Sequence, residues 1–84
     1  MHIAVNKEHI EVIKTLLKLG AHTSLQDTDG DTPLHDAISK KNDLIISLLL
    51  DFNADLSICN NNSFNPIQYA AIHSNLKLVH LNFF

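Results

Sequence analysis

The sequence predicts an all-α solenoid, built from helix–turn–helix units stacked on one another and joined by short turns. Three observations carry that reading. One pattern recurs at a step of 33 residues: His2, Ala4, Leu16, Leu17 and Ala21 return as His35, Ala37, Leu49, Leu50 and Ala54. A weaker third copy follows at the same step, with Pro33 and Ala37 returning as Pro66 and Ala70, and Leu48 as Leu81. The best-preserved copy reads Asp29-Gly30-Asp31-Thr32-Pro33-Leu34-His35-Asp36-Ala37, a turn that runs straight into a helix start. Equal spacing of apolar positions means one supersecondary unit reused, each copy covering the apolar face of its neighbour.

Copy one begins inside its first helix, with Met1 at the leucine position of the motif, and its helices are expected over about residues 1–7 and 9–19. In copy two, Asp27-Thr28-Asp29-Gly30 is rich in turn formers, and Gly30 is free to take positive φ. Thr32 suits the N-cap, and Pro33 suits the first helical position, where its missing N–H has no intrahelical partner to lose. Leu34, Ala37 and Ile38 then form one stripe of a short helix ending near Lys40. Asn42 and Asp43 can cap a second helix over about 44–52. Its apolar residues Ile45, Ile46, Leu48, Leu49 and Leu50 nearly encircle it, so it is expected to pack on several sides. Asn53 stands where Gly20 stands one copy earlier, and both residues tolerate the left-handed conformation that ends a helix. Copy three is expected to form helices over about 66–73 and 76–84. The units fall at 1–28 (partial), 29–61 (complete) and 62–84 (partial).

Composition bounds the function. A chain of 84 residues makes one small domain with a limited core. A net charge of −3 does not point to nucleic acid or an anionic membrane. The single cysteine, Cys59, cannot form an internal disulfide, which suits a reducing compartment. The first residues lack a basic stretch followed by a long apolar run, which argues against a secretory signal. The longest apolar run, Leu44 to Leu50, is broken by Ser47 and falls well short of the roughly 20 residues a membrane span needs. A cytoplasmic module without membrane insertion is expected.

With its period, its Thr32-Pro33-Leu34-His35-x-Ala37 motif and its Leu16-Leu17-x-x-Gly20-Ala21 block, the chain resembles the ankyrin repeat family. The resemblance implies binding to other proteins. Within that family, Asp36-Ala37-Ile38-Ser39-Lys40-Lys41, with Asn60-Asn61-Asn62-Ser63-Phe64-Asn65 and Tyr69-Ala70-Ala71, resembles the ankyrin array of the mind bomb ubiquitin ligases. That likeness covers about residues 1–75. It implies a parent that ubiquitinates Notch ligands, in which RING domains follow the array. The alternative is an ankyrin adaptor unrelated to ubiquitin transfer. This chain holds no paired cysteine–histidine spacing of the kind a RING needs. Glu8, Lys41 and Ser74 stand where ankyrin repeats prefer glycine, at a cost of about 1 kcal/mol each if φ is positive there. Ser63 likewise replaces the turn glycine equivalent to Gly30, and Gln68 replaces the motif histidine. Leu81, Phe83 and Phe84 crowd the end of the sequence. Either they await a following repeat, as in a fragment of a longer array, or they fold back on the preceding helix.

The motif histidines His2 and His35 are expected to hydrogen-bond within and between units. Gln68 is expected to keep part of that bonding through its amide. His9, His22, His73 and His80 share no helix face with a second ligand, so no metal or other cofactor is expected. Cys59 is expected to be a buried or half-buried structural thiol. Without a nucleophile motif or phosphate loop, no catalytic residue is assigned. Partner contact in the resembled family runs along the turn tips and the open side of each first helix. Here that strip comprises Asp29, Asp31, Asp36 and Lys40 in one unit and Asn62, Phe64 and Tyr69 in the next, with the aromatics as anchors. The alternative for Phe64 is that it tucks against its turn.

Overall fold

A computed structural model describes residues 1–73, which form five helices: α1 (His2–Asn6), α2 (Ile10–Lys18), α3 (Pro33–Ser39), α4 (Asp43–Asp51) and α5 (Pro66–Ile72). Each expected helix is present, with ends within about a residue of those read from the pattern. The expected helix over 76–84, Ser74, His80 and the Leu81, Phe83 and Phe84 end lie outside the described residues. Helices α1, α3 and α5 pack side by side in one row, and α2 packs against α4 in a second. No strand occurs among the described residues.

Local chemistry places the helix starts. The Thr32 hydroxyl accepts from the His35 N–H at 3.4 Å, while the Thr32 N–H donates to His35 Nδ1 at 3.0 Å, closing a reciprocal cap with Pro33 in the first turn. Asn65 and Gln68 build the same box at α5, through an Asn65 N–H to Gln68 Oε1 bond of 3.0 Å and a return bond of 2.9 Å. The Asn42 side chain caps α4 by accepting from the Ile45 N–H at 3.2 Å. α2 has no side-chain cap, but Glu11 in its first turn and Lys18 in its last complement the helix dipole.

The helix ends repeat as faithfully. Gly20 and Asn53 both take positive φ, 83° and 62°. The Gly20 and Asn53 N–H groups bond to Leu17 and Leu50 carbonyls, and those of Ala21 and Ala54 to Leu16 and Leu49. Glu8 and Lys41 sit at φ 56° and 55°, and Ser63 at 66°, so the left-handed backbone expected at these three non-glycine positions is present.

The core runs through both rows. Val5, Ile13, Leu34, Ala37, Ile38, Ile45, Ile46, Leu49 and Ala70 are all buried, with Leu17 and Ala54 at its margin. Ala37 lies in the middle helix of the first row, where α1 and α5 both press on α3, and its small side chain permits that approach. Leu44 points outward and is 56% exposed, so α4 is covered on most but not all of its circumference.

Candidate protein-interaction surface

The turn tips are built as a repeating hydrogen-bonded ladder. Asp27 Oδ1 accepts from the N–H groups of Asp29 and Asp31, both at 2.9 Å. Thirty-three residues on, Asn60 Oδ1 accepts from those of Asn62 and Phe64 at 3.0 and 3.1 Å. Side chains tie one turn to the next. Asn61 donates through its amide to the Thr28 carbonyl at 2.9 Å, and its N–H reaches the Asp29 carbonyl at 3.0 Å. Gln26 bridges the Gly30 and Cys59 carbonyls, both at 2.9 Å. Asn60 Nδ2 donates to Asp31 Oδ1, also at 2.9 Å. Gly30 permits this closeness: at φ 77°, a Cβ there would stand 2.5 Å from Asn61 Oδ1 and 2.6 Å from its backbone nitrogen. The tips are therefore held at fixed spacing before any partner arrives.

Behind the ladder lie the two motif histidines. His35 is fully buried; its Nδ1 accepts from Thr32, and its Nε2–H donates to the Phe64 carbonyl of the next unit at 2.9 Å. Bonding within and between units is thus as expected. His2 has no equivalent of Thr32 before it. Its Nε2 instead donates to the Leu25 carbonyl at 2.7 Å, and its Nδ1 meets Asp36 Oδ2 at 2.6 Å. Burial of the His2 ring opposes its charged form, but the Asp36 carboxylate, the Leu25 carbonyl and the Asp27 charge outweigh that and hold it above its ordinary value. Burial pushes the Asp36 carboxyl up, against the opposing pull of His2.

Of the predicted strip, Asp29, Lys40 and Asn62 are exposed, and Asp31 is half-buried with one oxygen engaged by Asn60. Asp36 does not lie on the open side. It is 8% exposed, bonded to His2 and to the Asn6 amide at 3.3 Å, because α1 packs directly over it. The aromatics are also less open than expected. Phe64 is half-buried, and its carbonyl and N–H are both held in the ladder. Tyr69 lies edge-on to the His35 ring, centroids 5.2 Å apart, and 4.3 Å from the His73 ring. Burial, with the charges of Asp31, Asp36 and Asp29, keeps its phenol above its usual value despite a Ser39 hydrogen bond. Cys59 is exposed, contrary to the expected structural thiol, because the arm after α4 turns its side chain away from the core. Gln68 keeps the inward half of the histidine's bonding, as expected.

Two features were not read from the sequence: the buried Asn60, hidden within a polar Asn60-Asn61-Asn62 run, and the His2–Asp36 pair. The identity of Asp27 and Asn60 at the 33-residue step was the signal available for Asn60. Donor atoms of His2, Asp27 and Asp36 lie within 4.8 Å of one another, as do those of Asp27, Asp29 and Asp31. In the first group His2 and Asp36 bond each other, and in the second Asp27 Oδ1 already takes two backbone N–H groups.

Residues 1–81 match the family model described as ankyrin repeats, in three copies. The chain belongs to the ankyrin repeat family. Among its ankyrin relatives, Rabankyrin-5 of Mus musculus is 35% identical over 78 residues, which is 92% of this chain and 7% of that protein. The 2-5A-dependent ribonuclease of Homo sapiens is 36% identical over 76 residues, 89% of this chain and 10% of its own length. The ankyrin repeat protein FPV219 of Fowlpox virus (strain NVSL) is 33% identical over 75 residues, 89% of this chain and 17% of its own length. The chain thus spans less than a fifth of each of these relatives. No helix among its described residues is long and apolar enough to cross a membrane.

Proposed function

We propose that this ankyrin chain is a protein-recognition segment that presents its turn tips and the open ends of its first helices to a protein partner. The observation that carries this reading is the ladder: exposed Asp29 and Asn62 are held in register by bonds between successive turns, with Lys40 exposed at the end of α3. Asp31 and the accessible edges of Phe64 and Tyr69 complete the strip. A partner segment carrying basic and apolar residues complements it.

Neighbouring ankyrin repeats are part of the same proposal. Val12 is 47% exposed and Leu16 half-buried, and with Glu11 and Thr15 they line a groove of about 260 Å³ on α2. Their counterparts 33 residues on, Ile45 and Leu49, are fully buried in α4, a helix that packs against α2 as well as α3. A further repeat stacked on α1 and α2 would cover Val12 and Leu16 in the same way. The likeness of Asp36 to Lys41 with mind bomb arrays supports a ubiquitin ligase of that kind, in the cytoplasm, as the parent. In such a parent the array would be scaffold rather than catalyst.

Two measurements test this. The purified chain, mixed with ubiquitin, activating enzyme and a conjugating enzyme, should form no conjugates, and conjugates that depend on it would overturn the scaffold role. In the parent protein, Asp29→Lys or Lys40→Glu should weaken partner binding several-fold, chiefly through slower association. Lys14→Ala, on α2, should leave binding unchanged. The reverse pattern would move the site to the second helices.

A further inference from the structure

His2 faces two acceptors. Its Nε2 lies 2.7 Å from the Leu25 carbonyl, which can only accept, and its Nδ1 lies 2.6 Å from an Asp36 carboxylate oxygen. A neutral imidazole has one donor and one acceptor nitrogen, so it satisfies only one of these contacts unless Asp36 itself carries a proton. Either way, the arrangement requires one proton more than neutral His2 and ionised Asp36 hold between them. The pair is enclosed, with side-chain exposures of 22% for His2 and 10% for Asp36, so water replaces the missing bond poorly. It also joins three segments: His2 belongs to α1, Asp36 to α3, and Leu25 to the chain leading into the turn at 27–31.

We propose that the extra proton held between His2 and Asp36 is a latch that seats the first repeat on the second, making the docking of α1 dependent on pH. Loss of the proton leaves Asp36 with the long 3.3 Å bond from Asn6, and leaves His2 able to keep its bond to Leu25 but not its bond to Asp36. The surrounding charges reinforce the latch. Asp27 acts on both members and Asp31 on Asp36, both from the turn, and all of these disfavour a further negative charge. From α5 the Tyr69 phenol faces Asp36, while α2 and α4 bring no titratable group that acts on either member.

The sign follows from the directions of the shifts. His2 binds its proton more tightly in the docked state, so its contribution is complete below about pH 6.5 and is lost as pH rises through the docked-state value. Asp36, also raised, acts in the same direction in a lower window above its ordinary value of 3.8. Docking of α1 therefore weakens with rising pH in both windows, and the upper one lies near neutrality.

The test uses the 84-residue chain labelled with 15N. Imidazole 15N shifts should show both His2 nitrogens protonated at neutral pH, with a titration displaced upward from those of exposed His9 and His22. Amide protection at Val5 and Lys7, corrected for intrinsic exchange, should fall by up to about tenfold per pH unit between 6.5 and the His2 midpoint. Asp36→Asn should flatten that dependence. A His2 ring that titrates with His9 and His22 would overturn the latch, as would α1 protection that stays level across the window. If the Asn variant does not fold, the His2 shifts of the unaltered chain decide the matter alone.

Discussion

His2 and His35 stand at the same place in two units 33 residues apart, and their rings are held by different chemistry. His35 is enclosed by groups that suit a neutral ring: a backbone donor at Nδ1, a backbone acceptor at Nε2, and no carboxylate in contact. His2 lacks the threonine that supplies the donor, and a carboxylate from the next repeat fills the place. One histidine therefore acts as a permanent brace and the other as a brace that holds only while protonated. A repeated motif residue repeats its function only where its partners repeat as well.

The sharpest way to break this comparison is to remove each ring. His35→Ala leaves the Thr32 N–H and the Phe64 carbonyl buried without partners and opens a void beside Tyr69, which should cost about 3 kcal/mol. His2→Ala, at a partly exposed site, should cost about 1 kcal/mol near pH 6 and less at pH 9. Urea unfolding at the two pH values measures both. Equal costs, or a His35→Ala cost that varies with pH in this range, would erase the distinction. His35→Gln should fall between, because Gln68 already shows that the amide keeps the cap.

A second matched pair lies at the turns. Gly30 and Ser63 share a positive φ, but only Gly30 has the next turn's Asn61 against it. Gly30→Ala should therefore cost about 2 kcal/mol, from a strained φ and a displaced Asn61, whereas Ser63→Gly should gain about 1 kcal/mol. Thermal unfolding of the two variants separates these effects by sign. The smallest difference is expected at Glu8 and Lys41, at φ 56° and 55°. Lys41→Gly relieves strain and should stabilise by about 1 kcal/mol. Glu8→Gly relieves the same strain but loses the 3.1 Å bond that Asn42 donates to Glu8, so its gain should be about half as large. If the two gains are equal, the Asn42 bond contributes nothing.

The period and the caps were legible in the sequence because they depend on neighbours close along the chain. Thr32, Pro33 and His35 close a helix start within four residues, and Gly20 and Asn53 end helices through their own φ. The apolar stripes of α3 and α4 were legible for a similar reason: helical spacing alone puts Ile38, Ile46 and Leu49 on buried faces. The candidate site was legible only in part. Asp29, Lys40 and Asn62 are exposed where the motif places them, because turns and helix ends face solvent in any stacked array. Asp36 was misplaced because its burial is set by the neighbouring helix. The positions one repeat before and after it carry Ile3, which is 74% exposed, and Tyr69, which is half-buried. Nothing in the local sequence of α3 announces that His2 and Asn6 will lie across it.

What the sequence determined by itself is therefore the unit: its length, its caps, its turn chemistry and the apolar faces that force units to stack. What only the tertiary structure decided is the pairing between units. Asn60 reaches Asp31, Asn61 closes on Gly30, and His2 finds Asp36, each across about 30 residues of chain. Local propensity sets backbone conformation within a few residues, whereas a hydrogen bond between repeats depends on which side chains the stacking brings within about 3 Å.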